Sequence, residues 1–149
     1  MTVSQEKMSE AELQGQSKLR ILVVEDDGPS REVLKEYASE HGDCDAVDNG
    51  AKAVEAFKDA LDNGRPYNLI CLDIMMPEMD GHAALRAIRQ IEKDRGISRV
   101  DSVRIFMTSA KDRSSDMIQS FKEGCESYII KPVAEEKLIA EMRKMNLIK

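Results

Sequence analysis

At 149 residues the chain is long enough for one domain with its own core and too short for two. Its net charge of −6, from 22 basic and 28 acidic residues, argues against nucleic acid and anionic membranes as partners, since both call for basic patches. No run approaches the ~20 apolar residues of a membrane span, and no apolar signal-peptide core opens the chain. The expected address is therefore the cytoplasm. Cys44, Cys71 and Cys125 are odd in number, widely spaced and lack a C-x-x-C pair, which reads as reduced thiols.

Residues 1–18 are polar, with little to bury, and read as a flexible tail ahead of a folded domain spanning 19–149. From Leu19 the text changes. "LRILVV" is a short run of branched aliphatics and predicts a buried strand. "GPSREVLKEYASEHG" predicts a helix, with Pro29 near its start, Val33, Leu34, Tyr37 and Ala38 on one face, and Gly42 after its last turn. "CDAV" predicts a weak second strand. "NGAKAVEAFKDALDNG" sets Ala53, Val54, Phe57 and Leu61 at helical spacing, and "YNLICLD" predicts the third strand. "GHAALRAIRQIEKDRG" carries Ala84, Leu85, Ile88 and Ile91 on one face of a third helix. "VRIFMT", "RSSDMIQSFKEG", "SYII" and "VAEEKLIAEMRKM" then alternate strand, helix, strand, helix. Five strands alternating with five helices predict βαβ units, a parallel sheet and helices on both of its faces.

In such open sheets ligands gather outside the carboxyl ends of the strands, where strand order reverses. The first strand ends in Glu25, Asp26 and Asp27, the third in Asp73, the fourth in Thr108 and Ser109, and the fifth runs into Lys131. Each has an ordinary reading. An acidic run before a helix is commonly a solvated cap. A lone Asp before "MMPEMDG" is commonly a turn residue. A Thr that ends a strand and a Lys before Pro are commonplace. Their coincidence on one edge of one sheet requires all four ordinary readings to hold at once.

That set suits phosphoryl transfer. Clustered carboxylates repel one another unless a hard cation joins them, and Mg²⁺ takes oxygen ligands. A carboxylate can be the nucleophile and form an acyl phosphate. The charge on the transferred group then needs partners, which Lys131 and the Thr108 hydroxyl can supply. Asp73 stands alone on the central strand and is the expected nucleophile, which leaves Glu25 and Asp26 to hold the metal.

With "ILVVEDD", "LDIMMPEMDG", "FMTSA" and "YIIKP" in this order, the chain resembles the receiver domain of two-component response regulators over about Leu19 to Lys149. No output segment follows "KMNLIK", so the resemblance is to the stand-alone, chemotaxis-type form. The resemblance implies a flavodoxin-like (βα)5 fold, a doubly wound five-stranded parallel sheet in the order 2-1-3-4-5. It implies a signalling switch, not an enzyme. Phosphate would come from a histidine kinase or a histidine phosphotransfer protein. Asp73 would accept it with Mg²⁺, or Mn²⁺ in its place, held by Glu25, Asp26, Asp73 and the backbone carbonyl of Met75. Asp26 would bind directly and Glu25 mainly through water. Lys131 would pair with the phosphoryl group after a cis Lys131–Pro132 bond. Thr108 and Tyr128 would form the switch, with Tyr128 rotating inward. The output would be the face of the fourth helix, fifth strand and fifth helix, read by a downstream protein or used for weak dimerisation of an otherwise monomeric chain. Met75 and Ala110 stand at the positions that set phosphate lifetime in this family, and neither side chain can orient a water.

Two other classes share part of this pattern. A haloacid-dehalogenase-like phosphatase also forms an aspartyl phosphate, but usually needs an Asp two residues beyond it, where this chain has Met75. A pseudo-receiver that never takes phosphate would be expected to lack some of the five functional positions.

Overall fold

Five aliphatic stretches become five parallel strands because the segment after each folds into a helix and carries the chain back to the start of the sheet. The computed structural model describes residues 19–111 and 114–149. Its elements are β1 (Leu19–Val24), α1 (Gly28–Ser39), β2 (Gly42–Val47), α2 (Gly50–Asp62), β3 (Leu69–Asp73), α3 (Gly81–Asp94), a 3₁₀ turn (Arg99–Asp101), β4 (Arg104–Ser109), α4 (Ser114–Lys122), β5 (Ser127–Ile130) and α5 (Glu135–Lys144). The tail expected at residues 1–18 lies outside the described residues. None of the described helices is long and apolar enough to cross a membrane.

The sheet order is β2-β1-β3-β4-β5, all parallel. β1 and β3 are therefore adjacent at the point where the order reverses. Alternation along the strands divides the core in two. Leu22, Val24, Ile70, Leu72, Ile105 and Met107 pack with Phe57, Leu85 and Ile88 of α2 and α3. Ile21, Val23, Leu69, Cys71, Phe106 and Ile129 pack on the other face with Leu34 and Ala38 of α1 and with Leu138 and Met142 of α5. β3 is buried at every position, which explains its unbroken apolar text. β2, at the sheet edge, alternates half-buried and exposed residues and was correspondingly faint in the sequence.

Three expectations need adjusting. β2 begins at Gly42, two residues ahead of the expected "CDAV", because Gly42, which follows α1 as expected, lies against β1: a Cβ there would meet the Leu19 carbonyl oxygen at 2.4 Å. The buried stripe of α1 narrows to Leu34 and Ala38, leaving Val33 42% exposed at the rim of a surface hollow. α5 begins at Glu135, two residues inside the expected start, with the backbone of Ala134 still extended.

Candidate functional site

The rim is built by register. Val24 pairs with Leu72 and Asp73 with Thr108, so Glu25, Asp73 and Thr108 emerge side by side at the carboxyl edge. The turn after β1 is fixed by the Glu25 amide donating to the Val47 carbonyl (3.1 Å) and by Asp27, whose carboxylate caps α1 at the Ser30 amide (3.0 Å). That leaves Asp27 at the helix cap, outside the acidic cluster. The loop after β3 is held by the Ile74 amide on the Thr108 carbonyl (3.0 Å) and the Gly81 amide on the Ile74 carbonyl (2.9 Å). Only glycine fits at 81, since a Cβ there would meet the Asp73 carbonyl oxygen at 2.4 Å. Asp80 caps α3 at the Ala83 amide, 2.9 Å away. The "MDG" signature thus places a helix start directly under the Asp73 backbone.

Glu25, Asp26 and Asp73 each present a carboxylate oxygen, and these oxygens lie within 4.8 Å of one another. Glu25 and Asp73 are buried, while Asp26 is exposed. The Lys131 ammonium stands 2.5 Å from Glu25 and 3.1 Å from Asp73. Lys131 is brought there by its amide bond to the Ser109 carbonyl (2.7 Å), ahead of the expected cis peptide to Pro132. Burial, and then the neighbouring charge of Glu25, push the Asp73 carboxyl from 3.8 up to about 7, against the opposing pull of Lys131. Burial alone would lower the Lys131 pKa, but its contacts with Glu25 and Asp73 outweigh that and raise it. One ammonium therefore does not fully offset the buried negative charge. A convergent set of hard oxygens with unmet repulsion fits a divalent cation such as Mg²⁺.

The remaining expected residues are close by. The Thr108 hydroxyl is buried and, among the described residues, has no hydrogen-bond partner, an arrangement that costs stability. Met75 donates its amide to Asp73 Oδ1 (3.3 Å), while its side chain is 52% exposed. Ala110 is exposed and lines a hollow of about 450 Å³ together with Lys131. Tyr128 is only 8% exposed, and its hydroxyl donates to the Lys111 carbonyl at 3.1 Å. It already lies inward in this structure.

Some residues of the site's surroundings were not legible in the sequence. Arg31 of α1 folds back and donates to the Glu25 carbonyl at 2.9 Å. Glu123, after α4, accepts from Arg86 (2.7 Å) and lies 3.1 Å from His82 Nδ1, which fastens α4 to α3. These partners are 37 and 41 positions apart in sequence, and no local pattern announces them.

The order of the strands and the acid–lysine rim define a receiver-type fold. The chain belongs to the response regulator receiver domain family, which it matches over residues 21–143. It is 32% identical over 127 residues to the chemotaxis protein CheY of Bacillus subtilis (strain 168), covering 84% of this chain and 95% of that one. It is 35% identical over 127 residues to the response regulator MprA of Mycobacterium avium (strain 104), covering 85% of this chain but 50% of that one. Among solved structures it resembles the receiver domain of the histidine kinase CKI1 from Arabidopsis thaliana complexed with Mg²⁺ and BeF3⁻, with a TM-score of 0.71, 26% identity, and coverage of 86% of this chain and 89% of that one. The CheX–CheY–BeF3–Mg complex from Borrelia burgdorferi matches with a TM-score of 0.74 at 23% identity, covering 91% of this chain and 99% of that one, and shows the shared fold.

Proposed function

We propose that this protein is a Mg²⁺-dependent phosphoacceptor switch, charged on Asp73 by a histidine kinase or a histidine phosphotransfer protein. The observation that carries this reading is the Asp73 carboxylate at the end of β3, with Lys131 at 3.1 Å and acidic oxygens of Glu25 and Asp26 within 4.8 Å. In the transfer, an Asp73 carboxylate oxygen bonds to phosphorus as the phosphorus–nitrogen bond of the donor histidine breaks. The nitrogen keeps that electron pair and takes up a proton. Bound Mg²⁺, held by Glu25, Asp26, Asp73 and the Met75 carbonyl, would supply positive charge to the transferring group. Lys131 turns its ammonium from Asp73 to a phosphoryl oxygen. Thr108 donates its unpartnered hydroxyl to another. The apolar hollow beside Lys131, walled by Val33, Leu34, Tyr37 and Val133, offers the donor protein a seat next to Asp73.

The switch runs through backbone. By strand alternation Thr108 falls on the α1–α5 side of the sheet and Tyr128 on the α2–α3 side. The two side chains therefore communicate through the segment between them. The Lys111 amide donates to Ser109 Oγ (3.1 Å), and the Lys111 carbonyl accepts from Tyr128. Movement of Thr108 toward phosphate draws this segment along and shifts the Tyr128 bond, which remodels the face of α4, β5 and α5. A partner protein, or a second copy in a weak dimer, reads that face. Phosphate shifts a balance between states that both exist beforehand.

The test is incubation with acetyl phosphate and Mg²⁺, followed by mass spectrometry of the labelled peptide. Label on Asp73, lost in Asp73→Asn and without Mg²⁺, is expected; wild-type label on another residue would overturn the assignment. Met75 and Ala110 supply no group to align an attacking water, so the acyl phosphate is expected to be long-lived. Met75→Asn, alone or with Ala110→Glu, is expected to speed its decay about tenfold, equivalent to ~1.4 kcal/mol of barrier. Unchanged decay in both variants would show that other groups set the lifetime.

A further inference from the structure

The two acids after β1 leave a turn, and a turn points its side chains only as well as its backbone is held. The Glu25 amide is tied to Val47, and the Asp27 amide reaches Glu25 Oε2 at 3.2 Å. The carbonyls of Glu25 and Asp26 have a different anchor. Arg31 Nη1 donates to the Glu25 carbonyl at 2.9 Å and reaches the Asp26 carbonyl at 3.5 Å. The Arg31 amide meanwhile donates to the Asp27 carbonyl at 2.9 Å. Backbone and side chain of one residue thus grip three successive carbonyls of the turn. Among the described residues Arg31 forms no ion pair with a carboxylate. Both side-chain bonds leave one terminal nitrogen, Nη1, so a single charged nitrogen bridges two successive neutral carbonyl oxygens.

We infer that Arg31 is a positioning residue of the metal site. By fixing the peptide planes that follow Glu25 and Asp26, it sets the directions in which both carboxylates leave the backbone, so that their oxygens converge with that of Asp73. This inference rests on the metal role given above to Glu25, Asp26 and Asp73. Two physical effects of Arg31 oppose each other, and that opposition makes the inference testable. As a cation close to the acidic cluster, it repels a divalent cation, so removing it would tighten Mg²⁺ binding. As a brace, it pre-orders the ligands, so removing it would weaken Mg²⁺ binding, typically by tenfold or more for a group supporting metal ligands. The sign of the change decides between them.

The experiment is calorimetric titration of the full chain with Mg²⁺ alone, without any phosphodonor, for wild type, Arg31→Ala, Arg31→Gln and Arg31→Lys. Thermal midpoints in EDTA monitor the fold. About tenfold weaker Mg²⁺ binding in Arg31→Ala is expected. Arg31→Lys, which keeps a charged terminal nitrogen on a stem without the rigid guanidinium plane, should recover part of the loss. Acetyl-phosphate labelling of the variants should regain the wild-type rate at saturating Mg²⁺, a recovery that general damage to the fold would not give. Should Arg31→Ala fail to fold, Arg31→Gln carries the same sign test. Unchanged or tighter Mg²⁺ binding in a folded variant overturns the inference and leaves the metal site standing. A wild-type chain that binds no Mg²⁺ removes the metal assignment and the inference together.

Discussion

The acid–lysine rim and the α4 face are held in opposite ways. At the rim, Glu25, Asp73 and Thr108 are buried at the ends of fully paired strands, and the strain is electrostatic: two carboxylates share one ammonium. α4 (Ser114–Lys122) has only one buried residue among those described, Ser120, whose hydroxyl has no partner. Its apolar Ile118 and Phe121 are 56% and 49% exposed. What fastens it is polar and sits just past its C-terminal end, where Glu123 meets Arg86 and His82 and the Gly124 carbonyl accepts from Arg89. The phosphoryl transfer proposed at the rim needs fixed geometry, which buried strands provide. The output proposed for the α4 face needs a small gap between two positions, and a helix with little apolar anchorage provides that.

The largest test of this contrast is Lys131→Met. Removing the ammonium leaves two buried carboxylates facing each other, and breaking a buried pair in this way costs about 3 kcal/mol. Chemical denaturation at pH 8 in EDTA should show that loss. A loss below that of an ordinary surface substitution would mean the rim is more solvated than its burial indicates.

Asp73→Asn should act in the opposite direction. The Asp73 pKa is raised on folding, so the ionised form is the one the fold disfavours. The folded state binds the extra proton, and this unfavourable contribution is full above about pH 7 and vanishes as pH falls toward 3.8. The variant is therefore expected to be more stable than wild type by about 2 kcal/mol at pH 8, with the gain shrinking through that window. A gain that grew on acidification would contradict the sign.

Smaller effects belong to α4. Glu123→Ala removes the fastening to α3, in which Arg86 is substantially exposed, so the global cost should be about 1 kcal/mol. Hydrogen exchange is the sharper measurement. Amides across Ser114–Lys122 should exchange faster than those of β3 and β4 in the wild type, and faster still in the variant. Equal protection of α4 and the sheet would erase the contrast between the two regions. Ser120→Ala, the smallest change, replaces a buried unpartnered hydroxyl with an apolar group and should be neutral or stabilising by up to about 1 kcal/mol. A clear loss of stability would reveal that the hydroxyl is satisfied.

Wherever the signal was local, the sequence was readable. The strands β1, β3 and β4 announce themselves as short apolar runs because each is buried on both faces. The edge strand β2 was faint because its solvent side tolerates Asp43 and Asp45. The short 3₁₀ turn at Arg99–Asp101 has no periodicity to read and was not anticipated. Tyr128, expected to swing inward on activation, is buried in this structure with its hydroxyl on the Lys111 carbonyl, a partner no local pattern announces.

By itself the sequence determined which residues end each strand and therefore which chemistry collects at one edge, since alternation and strand polarity follow from the chain's own text. Tertiary structure decided how those residues are stressed and braced. The raised Asp73 pKa depends on burial and on Glu25, 48 positions earlier in the chain; the grip of Arg31 depends on a helix folding back over its own preceding turn. The hold of Glu123 on α4 depends on side chains of α3 that stand 37 and 41 positions earlier in the chain. Charge and hydrogen bonding act through space at a few ångströms, and only the closed fold sets those distances.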